Sequence, residues 1–141
     1  MKKIIILFLI LCNCLICNAA GISKEVLTAN KWVVVTPDFH GRQIHTLVFN
    51  NNNTLEWNVK FVTLNKGGST VYKYYFTDQM PSKFDKNKIG KAKVGRYLVF
   101  AHISDISKDN CYFICYEEVY SDKNSIEFRR ADGEIWRIEK Q

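Results

Sequence analysis

Three histidines and five cysteines are the first candidates for catalytic or metal chemistry in this chain. His40, His45 and His102 stand singly, and no further ligand lies at zinc-site spacing from Cys111 and Cys115. Glu117 and Glu118 are adjacent, so on a strand they face opposite sides and do not act as a pair. There is no nucleophile elbow, phosphate-binding loop or His-Glu-X-X-His motif. A non-catalytic protein without a cofactor is expected. If "CYFIC" is a strand, Cys111 and Cys115 lie about 13 Å apart on one face, beyond the roughly 7 Å that a disulfide spans. They are read as small apolar residues facing an interior.

Binding chemistry is better represented, in aromatic residues that recur with period two. "TLEWNVKFV" puts Leu55, Trp57, Val59 and Phe61 on one face and Glu56, Asn58 and Lys60 on the other. "TVYKYYFT" does the same with Tyr72, Tyr74 and Phe76, "QIHTLVF" with Leu47 and Phe49, and "CYFIC" with Phe113 beside its two cysteines. An interior lined this way suits a small apolar or aromatic ligand, with tyrosine hydroxyls fixing its orientation. In a short chain the same bulky residues also suffice to fill the interior, and both outcomes fit the pattern.

A second kind of chemistry is electrostatic. Residues 83–96 carry Lys83, Lys86, Lys88, Lys91, Lys93 and Arg96 around Asp85. Such a run is expected to steer anionic lipids, glycans or an acidic partner, such as an envelope protein, toward the mouth of a barrel, or simply to protect a sheet edge as a solvated loop. Nucleic acid is not an expected partner, since Phe84 and Tyr97 are the aromatics near these cations.

The elements that position these residues start after a leader. Lys2 and Lys3, an apolar run from Ile4 and small residues at Ala19 and Ala20 make residues 1–20 a secretory signal peptide. Cys12, Cys14 and Cys17 raise a lipoprotein alternative, but Asn13 and Ile16 are not the small residues that such cleavage takes before its cysteine. An exported, periplasmic or secreted protein is expected, with residues 21–141 as one domain. Losing Lys2 and Lys3 lowers the formal charge from +6 to +4. No later segment has the roughly 20 apolar residues of a membrane helix.

"ISKEVLTA" (22–29) reads as a short helix capped by Ser23. Strand-like runs follow at 31–36, 43–49, 54–62, 70–77, 96–103, 111–120, 125–131 and 134–140. Residues 78–95 are the least regular, with "KIGKAKV" open to either strand or loop. Pro37-Asp38 is expected to break the first run. Asn50–Asn53 and Asp132-Gly133 have hairpin chemistry, because Asn and Gly tolerate left-handed backbone. Strands joined by short loops without crossover helices pair antiparallel in chain order. Closing them hides the aromatic face and removes the edges. The expected fold is an all-β, antiparallel, up-and-down eight-stranded barrel with a short N-terminal helix. An immunoglobulin-like sandwich would need Greek-key connections and a Cys…Trp…Cys framework that this chain lacks.

A helical turn, a first strand opening on Asn30-Lys31-Trp32 and a meander of hairpins together resemble the lipocalin or wider calycin pattern, particularly short lipocalin-like exported proteins of Bacteroidetes. The glycine of the usual Gly-X-Trp is replaced by Asn30. The resemblance implies a basic side chain from the last strand over Trp32, closing the barrel bottom. Arg137 suits that role by residue type and Lys140 by period-two parity with Trp136 and Ile138. Lys140 is the choice, for a cation–π contact of about 0.5–2 kcal/mol.

Overall fold

The computed structural model describes residues 21–39 and 41–141. The signal peptide assigned to 1–20, and His40, lie outside them. Ser23 caps helix α1 (Lys24–Thr28), its hydroxyl accepting from the Val26 N–H at 3.2 Å, while Ile22–Ser23 forms a short strand, β1. The chain then runs through β2 (Lys31–Asp38), β3 (Gly41–Phe49), β4 (Thr54–Phe61), β5 (Lys66–Thr77), a 3-10 turn (Lys86–Lys88), β6 (Val94–Gly95), β7 (Tyr97–His102), β8 (Phe113–Ser121), β9 (Ser125–Arg129) and β10 (Ile135–Lys140).

Eight of these strands close a barrel in the order β10-β2-β3-β4-β5-β7-β8-β9, every neighbour antiparallel. The hairpins obey the local chemistry: Asn53 takes φ 61° and Gly133 φ 87°. The doubtful "KIGKAKV" run contributes no barrel strand. Its Val94, with Gly95, pairs with β1 instead, so the lysine run lies beside α1 at one end of the barrel and not at the mouth opposite it. That approach requires glycine, because a Cβ on Gly95 would sit 2.7 Å from the Thr77 backbone nitrogen.

Inward residues alternate along each strand, as barrel packing demands. One half of the interior is solid: Trp32, Leu47, Phe49, Leu55, Tyr74, Phe76, Leu98, Ile126, Phe128 and Ile138 are buried, with Ile22 and Leu27 beneath them. We refer to this as the closed end. Residues 78–93 strap the outer face of β5 and β7, where Phe84 stacks on Tyr75 at 5.3 Å. Tyr75, Val99 and Ala101 are therefore buried although they point away from the interior. β7 is covered on both faces, which is why its sequence, Leu98-Val-Phe-Ala101, is unbrokenly apolar.

Two expectations need correction. Phe113, Cys111 and Cys115 do not line the interior. In the β7–β8 ladder Leu98 faces Tyr116 and Phe100 faces Ile114, so the intervening Cys115 and Phe113, opposite Val99 and Ala101, point outward. Cys111 precedes the strand, and both thiols are free. Nor does a basic side chain cover Trp32. Lys140 is its register partner but is exposed, and Arg137 lies on the outer face, paired with Glu127 and Glu139. Among the described residues the cation–π stacks are Arg96 on Tyr97 and Arg130 on Trp136. Trp32 is closed off by α1: its Nε1–H donates to the Leu27 carbonyl at 3.0 Å, and both residues are fully buried.

The β10–β2 seam is the shortest ladder of the barrel, two residue pairs against eight between β2 and β3. Alternation points the Val35 N–H and C=O at β10, where a pair with Arg137 does not form. β2 does not break at Pro37-Asp38 but runs through them. Pro37, at the same parity as Val35, turns its missing donor toward the unpaired side, where a proline is tolerated. A groove of about 620 Å³ follows this seam on the outside, between Val33, Val35 and Ile44 and the Arg137–Gln141 segment.

Candidate functional site

The end of the barrel opposite α1 is ringed by the β2–β3, β4–β5, β7–β8 and β9–β10 connections. There the inner face carries a continuous set of rings. Trp57 lies 5.6 Å from Trp136, 6.1 Å from Tyr72 and 5.9 Å from Phe100. Tyr116 lies 5.3 Å from Phe100 and 6.2 Å from Trp136. Phe100 and Tyr116 are buried and form the floor. Trp57, Tyr72, Trp136 and Ile114 are only half-buried although they face inward. These half-buried inward rings form an aromatic layer, the cup, at the end of the barrel opposite α1. Val59 and Phe61 continue the wall along β4 toward the rim.

The cup has a polar support. His45 is buried and shares the inward face of Leu47 and Phe49. Trp57 Nε1–H donates to His45 Nδ1 at 3.1 Å, and His45 Nε2 lies 3.1 Å from Thr36 Oγ1. An indole nitrogen only donates, so Nδ1 must be bare and the proton sits on Nε2, where it is donated to Thr36. Burial lowers the His45 pKa below its usual 6.5, which keeps the ring in this neutral, accepting form. Its edge also meets Trp136 at 5.4 Å. His45 thus sets the planes of two cup tryptophans.

This arrangement has a pH signature. Unfolded, His45 titrates near 6.5; folded, its value is depressed, so between the two the unfolded chain binds more protons. The contribution is complete above about pH 6.5 and is lost as pH falls through the lowered folded value. We expect the urea midpoint of the wild-type chain to drop more steeply than that of His45→Gln between about pH 7 and pH 5. Parallel curves for the two proteins would contradict the assignment.

At the rim, Arg130 lies over the Trp136 ring at 5.8 Å while pairing with Asp132 and Glu134 at 3.1 and 2.7 Å. His102 contacts Tyr72 at 6.0 Å, and its Nδ1 lies 2.6 Å from Ser104 Oγ. Ser104 Oγ in turn lies 3.4 Å from Asp105 Oδ1, and Asp105 is ion-paired with Lys108. Burial raises the Tyr72 and Tyr116 hydroxyls above their ordinary range, so both stay protonated hydrogen-bonding groups.

The lining expected from alternation therefore divides. Trp57, Val59, Phe61 and Tyr72 belong to the cup. Leu47, Phe49, Tyr74 and Phe76 belong to the solid closed half, where Tyr74 Oη donates to the Asn50 carbonyl at 3.1 Å and burial pushes its pKa up to about 12. Phe113 belongs to neither. His45, Trp136, Ile114, Phe100 and Tyr116 were not anticipated as site residues, though His45 shares the period-two face of Leu47 and Phe49. Among the described residues no helix is long and apolar enough to cross a membrane. No protein-family description, curated protein or solved structure matches this chain.

Proposed function

We propose that this chain is an exported, lipocalin-like, non-catalytic barrel that holds one small apolar or aromatic molecule in the cup at its open end. The observation that carries the reading is the half-exposure of Trp57, Tyr72 and Trp136 on an inward face above a buried Phe100–Tyr116 floor. Large aromatic rings left wet in a concave site recover their hydrophobic free energy when a ligand covers them, about 25 cal/mol per Å² of apolar surface. The tyrosine hydroxyl and His102 at the rim supply polar contacts that fix orientation. The solid closed half limits the ligand to the depth of the cup, so a compact ring system fits better than a long chain.

The packed closed half also favours a second reading, a protein-interaction module with a filled barrel, as an inhibitor or envelope-assembly component would be. Titration with the neutral fluorophore 1-N-phenylnaphthylamine separates the two. A cup gives saturable one-to-one binding with quenching of tryptophan emission; a filled barrel gives neither.

A further inference from the structure

We infer that the closed end of the barrel is a docking face for an anionic lipid bilayer. Its carriers are Lys24, Lys73, Lys86, Lys88, Lys91 and Lys93, which three separate segments, α1, β5 and the strap 78–93, bring to one end of the molecule. The asparagine hairpin is the point of convergence. Lys24 Nζ donates to the Asn51 carbonyl and to Asn53 Oδ1 at 2.6 and 2.9 Å, and Lys73 Nζ donates to the Asn52 carbonyl at 3.3 Å. Gly90, beside Lys91, approaches the Asn53 side chain, and the Lys24 N–H donates to the Lys93 carbonyl at 2.7 Å. The 3-10 turn carries Lys86 and Lys88 in the same segment, both exposed.

The charge on this end is not neutralised. Among the described residues, carboxylate ion pairs are made by Arg96, Arg129, Arg130, Arg137 and Lys108, and by none of these six lysines. Arg129, Arg130 and Arg137 on the β9–β10 wall are thus matched within the molecule, whereas the six lysines at the closed end remain for a partner. The acids at the same end are Glu25, exposed on α1, Glu56, which accepts from the Asn50 side chain of the hairpin at 3.2 Å, Asp78, which accepts from the Arg96 N–H, Asp85, which caps the 3-10 turn through the Asn87 N–H, and Asp122, which accepts from the Asn124 and Ser125 N–H groups of the β8–β9 turn.

Three further features favour a bilayer over a discrete small anion. Lys86, Lys88, Lys91 and Lys93 are exposed and spread along one segment, while Lys24 and Lys73 are half-buried against the hairpin, and compact ammonium groups on flexible stems suit a fluid array of headgroups. Val94 sits among them with half its surface exposed, an apolar residue placed for shallow insertion. Gly21 also lies at this end, directly against Gly95. Cleavage near Gly21 would add an α-ammonium to the same face. Docked in this way, the barrel turns its cup away from the membrane.

The test is co-sedimentation of the chain from Gly21 onward, which holds every barrel strand, with vesicles of phosphatidylcholine alone or mixed with phosphatidylglycerol. Sedimentation only with the mixed vesicles, reversed by added salt, is expected. Lys88→Glu/Lys91→Glu/Lys93→Glu should lower the partition coefficient on the order of 100-fold or more. Lys60→Glu/Lys66→Glu, on the β4–β5 hairpin at the other end, should leave it unchanged, with circular dichroism showing both variants folded. Equal binding to both vesicles, no binding, or equal loss in the two variants would overturn the inference. Retention on heparin without vesicle binding would also overturn it, in favour of a soluble acidic polymer.

Discussion

Replacing Trp32 with alanine should lower the unfolding free energy by about 3–5 kcal/mol, the range for deleting a large aromatic from a packed core. Trp32 is fully buried between the barrel floor and α1, so its removal leaves a void that rigid β-strands close poorly. It also strips the Leu27 carbonyl of its donor. Natural domains of this size hold a margin of roughly 5–15 kcal/mol, so the variant should unfold at markedly lower urea. Trp32→Phe keeps most of the ring but not the N–H, and should cost about 1–3 kcal/mol. Lys140→Ala, on an exposed side chain, should change stability by no more than about 0.5 kcal/mol. Urea titrations followed by circular dichroism give all three values. A loss for Lys140→Ala comparable to that for Trp32→Phe would restore the basic lid in place of the helical plug.

The second large effect concerns the cup. Trp57→Ala and Trp136→Ala should each weaken 1-N-phenylnaphthylamine binding by at least about 30-fold, since a central aromatic anchor contributes 2 kcal/mol or more. The two rings touch at 5.6 Å, so the double variant should lose less than the product of the single effects. Trp57→Phe guards against a trivial loss of fold. It retains an aromatic wall but not the donor to His45, and should bind more weakly than wild type and better than Trp57→Ala. Phe49→Leu, deep in the closed half, should leave affinity within about threefold, as a residue outside the contact does. Equal weakening by Phe49→Leu and Trp57→Ala would mean that the interior responds as a single packed core with no distinct cup.

The barrel was legible in the sequence wherever local chemistry decided the structure. The alternation of "TLEWNVKFV", the asparagine hairpin, Asp132-Gly133 and the Ser23 cap are each satisfied by neighbours within a few residues, and each is found as expected. The errors lie where a distant segment decides. β8 carries apolar residues on both faces, and only its pairing with β7 and the strap over the outer wall shows that Ile114 and Tyr116, not Phe113, face inward. Parity correctly brought Lys140 opposite Trp32, but the indole N–H had already found the α1 carbonyl, a contact set by how the helix folds back. His45 looked isolated because its partners, Thr36 and Trp57, come from the strands on either side of its own. The division of one inward aromatic face into a solid half and an open cup depends on how deeply α1 plugs the barrel, and no strand's alternation carries that information.

The three tryptophans of the chain report on this division directly, because they occupy three different sites. Trp32 is bonded to Leu27 at the plug, Trp57 to His45 in the cup wall, and Trp136 lies under Arg130 at the rim. The decisive measurement is a heteronuclear NMR titration of the three indole N–H resonances with 1-N-phenylnaphthylamine. The account predicts saturable movement of the Trp57 and Trp136 resonances while that of Trp32 stays fixed. Three stationary resonances, or a Trp32 resonance that moves with the others, would contradict it.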